Sequence, residues 1–144
     1  MQVARIKSPK QNLNSFALEK TVMNTTTAIS KLALFSGDYD VAITGCAART
    51  LQHYPPIAVF ITDVAAPRFG SYVYTIGDRK SGETFATVIH ESDADTEEMC
   101  RNMGRVLAKK FEVPVYTNIN GRLDPGSYQE LLNHVIDRAS SGTH

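Results

Sequence analysis

At 144 residues, with fifteen Lys and Arg balanced by fifteen Asp and Glu, the chain has the size of one domain and no net charge. Apolar residues make up 42% of it and charged residues 21%, the balance of a globular chain that buries roughly 70% of its unfolded surface. Neutrality argues against a nucleic-acid partner, which needs a positive field to displace counterions, and no run approaches the ~20 apolar residues of a membrane span.

Residues 1–14 are polar and basic, with Arg5, Lys7 and Lys10, and read as a flexible N-terminal arm rather than a secretory leader. The rest reads as one domain, 1–144 in all. Residues 15–23 alternate, with Phe16, Leu18 and Val22 on one side and Glu19 and Thr21 on the other, the period of a half-buried strand. Strands at 29–35 and 39–44 flank Ser36-Gly37-Asp38, a hairpin signal, and Tyr39, Val41 and Ile43 share a face. Pro55-Pro56 ends a loop, and 57–63 is a short apolar strand. A second hairpin joins 71–77 to 84–90. Its first arm is expected to turn Tyr72, Tyr74 and Ile76 to the core and Val73 and Thr75 outward, while Phe85, Thr87 and Ile89 share a face of the second.

The period then changes. From 96 to 111, Met99, Cys100, Met103, Val106, Leu107 and Phe111 fall on one helical stripe, with Asp95 and Glu98 spaced as a capping box. Pro114 stops that helix, and 113–119 alternates as a last strand. Asp124 caps and Pro125 opens a final helix whose stripe is Tyr128, Leu131, Leu132, Val135, Ile136 and Ala139. The order is six strands, helix, strand, helix. It predicts an α+β domain: an antiparallel sheet or sandwich of about six to seven strands with two segregated helices. Two helices in a single layer cannot easily cover both sides of such a sheet.

No motif for chemistry survives inspection. Gly77 to Thr84 has the glycine spacing of a phosphate loop, but Glu83 stands where the phosphate-binding Lys belongs. Asp93-Ala94-Asp95-Thr96-Glu97 opens like a calcium loop but has Glu98 where the glycine is required. His90-Glu91 could pair as acid and base, yet none of Ser71, Ser81 or Ser127 sits in a nucleophile motif. Cys46 and Cys100 are too few for a metal site and read as reduced thiols, one in a strand-end turn and one on a helix's inner face. The expectation is therefore a non-enzymatic chain without cofactor or metal, working in the cytoplasm and also the nucleus.

Three stretches carry a resemblance. They are Pro56-Ile57-Ala58-Val59-Phe60 leading to Gly70-Ser71-Tyr72-Val73-Tyr74-Thr75-Ile76-Gly77; Leu107-Ala108-Lys109-Lys110-Phe111 followed by Val113-Pro114-Val115-Tyr116-Thr117-Asn118-Ile119-Asn120; and the terminal helix through Arg138. In this order and spacing the chain resembles the small proteasome assembly chaperones, most closely the proteasome assembly chaperone 4 family. The resemblance implies a heterodimer with a structurally similar type 3 assembly chaperone. It also implies binding of proteasome α-type subunits, chiefly the fifth of the ring, to promote α-ring assembly without nucleotide or cofactor. The partner-binding candidates are Arg68, Phe69, Arg79 and Lys80, all in loops at the ends of the sheet, where recognition residues gather. The plainer alternative for them is that Phe69 caps the core and the cations are solvated. Two other function classes remain at this point: a dimeric scaffold or trafficking adaptor joined through its sheet, and a small-ligand enzyme built around His90 and Glu91.

Overall fold

A computed structural model of the chain describes residues 27–45 and 55–141. The expected arm, the strand at 15–23 and Cys46 lie outside the described residues. Within them the elements are β1 (Thr27–Leu34), β2 (Gly37–Thr44), β3 (Ile57–Asp63), β4 (Ser71–Gly77), β5 (Thr84–His90), α1 (Ala94–Phe111), β6 (Val115–Ile119) and α2 (Pro125–Ser141).

The strands form one six-stranded sheet in the order β1-β2-β3-β6-β4-β5. Every pairing is antiparallel except β3 with β6, where Ile57 to Ile61 runs parallel to Val115 to Ile119. The α+β class is as expected; the parallel pair at the centre is not what the sequence predicts. It arises because β6 follows α1 and is inserted between β3 and β4, so chain neighbours are not sheet neighbours.

Both helices lie on one face. α1 packs over β4, β6 and β5, and α2 over β1 and β2. The core between the layers is Tyr39, Val41 and Ile43 of β2, Ile57, Val59 and Ile61 of β3, and the helical stripes around Met103, Leu107, Leu131 and Val135. The stripes read from the sequence are the buried ones. Cys100 lies on α1's inner face, and burial pushes its thiol up to about 12, so it is a protonated, unreactive side chain at neutral pH.

Two local expectations are corrected. Asp93, not Asp95, is the N-cap of α1: its backbone is extended and its Oδ1 accepts from the Thr96 N–H at 2.9 Å. Ser71 explains the choice, because its hydroxyl accepts the N–H groups of Ser92 and Asp93 at 3.0 and 3.4 Å and so ties the entry of the helix to β4. The faces of β4 are also exchanged. Ser71, Val73 and Thr75 are buried under α1, while Tyr72 and Tyr74 are half-buried on the opposite face and Ile76 is exposed there. The cause is the close approach of α1. A Cβ at Gly104 would lie 2.3 Å from the Thr75 hydroxyl, so only small side chains fit beneath the helix.

Candidate protein-docking site

The face of the sheet away from the helices has no covering layer among the described residues. Pleating assigns its side chains. One row across the strands is Ile29, Ala42, Phe60, Asn118, Tyr72 and His90; the next is Thr27, Thr44, Ala58, Tyr116, Tyr74 and Thr87. At the far end of β4 and β5, Ile76 stands opposite Phe85.

The centre of this face is aromatic. Tyr72 stacks on Tyr116 with ring centroids 5.9 Å apart, Tyr74 lies 4.7 Å from Tyr116, and Phe60 lies 5.9 Å from Tyr72. Burial against these neighbours, then the nearness of Tyr116, raises the Tyr72 hydroxyl above its usual value, so it stays neutral. Charge is confined to one corner, where Lys31 donates to Asp40 at 2.8 Å with Asp38 beside them. Neutral rings with hydroxyl tips offer large apolar area at low side-chain entropy, and the hydroxyls supply hydrogen bonds in a docked state.

One loop extends the face. Phe69 meets Tyr72 edge-on at 5.4 Å and His90 at 5.3 Å, while remaining half exposed. Its position is fixed by Gly70. The Gly70 N–H donates to Asn118 Oδ1, and its carbonyl accepts from Asn118 Nδ2 and from His90 Nδ1, all at 3.2 Å. A Cβ at Gly70 would overlap the Ile119 carbonyl, so glycine is required there. Phe69 therefore belongs to the aromatic surface and does not cap the helix-covered core.

The four candidate residues are not brought together. Arg68 and Phe69 precede β4, while Arg79 and Lys80 sit in the hairpin after it, about 20 Å further along a seven-residue strand. Arg79 lines a groove of about 590 Å³ between that hairpin and the end of α1, with Lys109 and Glu112. The hairpin is a turn closed on itself. Asp78 holds the Lys80 N–H and the Ser81 hydroxyl, contacts that lower its carboxyl below the usual range, and its own N–H donates to Glu83 O at 2.8 Å. His90 is engaged with Gly70 and Phe69, while Glu91 is exposed beyond the strand. Among the described residues no three His, Cys, Asp or Glu side chains are grouped to hold a metal ion.

Sequence reasoning missed Phe60, Tyr72, Tyr74 and Tyr116 as site residues. The signal was present: strands with large apolar side chains on both faces, beside helices enough to cover only one.

A helix-backed sheet presenting a face that is aromatic at its centre and charged only at one corner is a candidate surface for protein docking. Over residues 1–140 the sequence matches the family of 20S proteasome chaperone assembly proteins 3 and 4, and the chain belongs to that family. Among solved structures it is similar to a chain of "Crystal Structure of a Novel Chaperone Complex for Yeast 20S Proteasome Assembly". The two share 18% identity and a TM-score of 0.65, covering 85% of this chain and 100% of that one, a likeness of fold. No curated protein matches the sequence.

Proposed function

We propose that this proteasome assembly chaperone acts as half of a heterodimer with a type 3 assembly chaperone, through the open face of its sheet. The pair binds α-type subunits of the core particle, chiefly the fifth, and guides α-ring assembly in the cytoplasm and nucleus. The observation that carries this reading is the aromatic cluster of Phe60, Tyr72, Tyr116 and Tyr74 on a face that no helix covers among the described residues. A second sheet laid on this face completes a two-layer sandwich, and its interface is expected near the standard ~1,600 Å² in total. Phe69 goes with the face, whereas the loop cations Arg68 before β4 and Arg79 and Lys80 after it remain free to touch the subunit. Reversible binding without nucleotide suits a chaperone that leaves once the ring is built.

The test is reconstitution of α-type subunits with and without the co-expressed pair. Faster or more complete ring formation, and a complex with the fifth subunit, is the expected result. Unchanged ring yield with no subunit bound overturns the proposal.

A further inference from the structure

The open face ends at β5, the outermost strand of the sheet, whose outer edge has no neighbouring strand among the described residues. Native sheets blunt such edges with Lys, Pro or bulges. The opposite edge, β1, carries Lys31. From Thr84 to Ile89, β5 has no charge and no proline, and Thr84, Thr87, Val88 and Ile89 are β-branched. Its one guard is an irregularity near Ile89, where the register with β4 shifts between Tyr72 and Val73; Thr84 to Val88 pair regularly. Beside this edge Phe85 is 56% and Ile89 53% exposed.

From this edge we infer a strand-addition site: β5 takes up an extended segment of the bound subunit as a further strand, uncharged where it pairs with Thr84 to Ile89 and carrying a Lys or Arg just beyond, beside Glu91. Backbone pairing supplies the attachment, and alternate side chains of the segment lie against Phe85 and Thr87. The charge follows from the strand's end. Glu91 is exposed and in no ion pair among the described residues, with Asp95 close along the chain, whereas Asp93 is committed to capping α1. A second copy of this chain fits less well. The two-fold antiparallel register that sets Phe85 against Ile89 of the other copy also sets Glu83 against Glu91, like charges facing each other. The inference rests on the chaperone reading above.

The test is amide exchange by NMR on the native heterodimer, alone and with the isolated fifth α-type subunit. Alternate amides between Thr84 and Val88 exchange freely in the free pair and are slowed more than about tenfold in the complex. Glu91→Lys, an exposed change that leaves the fold intact, weakens binding about three- to tenfold at low salt. Unslowed β5 amides in a complex that does form overturn strand addition and leave the chaperone reading standing, as does unchanged affinity of the Glu91→Lys pair. Concentration-dependent protection in the free pair assigns the edge to a second copy and also overturns it. A native pair that binds no subunit removes both proposals.

Discussion

Gly104 and Thr75 set how near α1 sits to the sheet. The Thr75 hydroxyl is buried without a hydrogen-bond partner, and Thr117 bridges the same layers by donating to Cys100 O at 3.0 Å and Val73 O at 3.3 Å. Gly104→Val pushes a branched side chain into that contact and should cost about 1–3 kcal/mol, read as a lower midpoint in urea. An unchanged midpoint would mean the helix can lift at no cost. His134 makes the other single-residue prediction. It shares a hydrogen bond of 2.9 Å with Ser30, joining α2 to β1, and burial, then the Arg138 charge, lowers its pKa below 6.5. A lowered imidazole pKa favours the neutral ring in the folded state. The stability it contributes is therefore complete above pH 6.5 and is lost as pH falls through the folded value. Thermal unfolding between pH 7.5 and 5 should fall less steeply for His134→Gln than for the native chain.

At the scale of elements, the cap of α1 separates two aspartates. Asp93→Ala removes the acceptor for the Thr96 N–H and should cost about 0.5–2 kcal/mol. Asp95→Ala, on an exposed helix-dipole site, should cost about 0.3–1 kcal/mol at low salt. A lower midpoint for Asp95→Ala than for Asp93→Ala would return the cap to the position read from the sequence. In α2, Leu131 is fully buried and Leu132 nearly so; either change to Ala should cost about 2–5 kcal/mol by transfer and cavity terms. The helices were legible because a 3.6-residue period leaves little choice of buried face: Leu107, Leu131 and Val135 are where the stripes put them. The strand β4 was legible in position but not in facing. Tyr72, Tyr74 and Ile76 outweigh Ser71, Val73 and Thr75 in apolar area, and alternation alone awards the core to the larger set. What reverses it is tertiary: α1 comes too close for tyrosine, a fact held by Gly104 on a different element.

For the whole molecule, the sequence shows more strands with two apolar faces than its helices can cover, and the structure places the surplus on one open, aromatic side. The strand order was not legible, because β3 and β6 are joined by pairing across more than fifty residues and no local signal records it. The docking residues were hidden for a related reason: Phe60, Tyr72, Tyr74 and Tyr116 come from three strands that meet only in the folded sheet. The loop residues Arg68, Phe69, Arg79 and Lys80, conspicuous in the sequence, sit at opposite ends of β4, and Phe69 joins the aromatic surface. The central claim is that this face holds the partner chaperone. Size-exclusion chromatography with light scattering on the chain co-expressed with a type 3 assembly chaperone tests it most directly, comparing the native sequence with Tyr74→Asp. The account predicts a one-to-one heterodimer for the native chain and a folded but unpaired Tyr74→Asp chain; a Tyr74→Asp heterodimer as stable as the native one, or a native chain that ignores the partner, would contradict it.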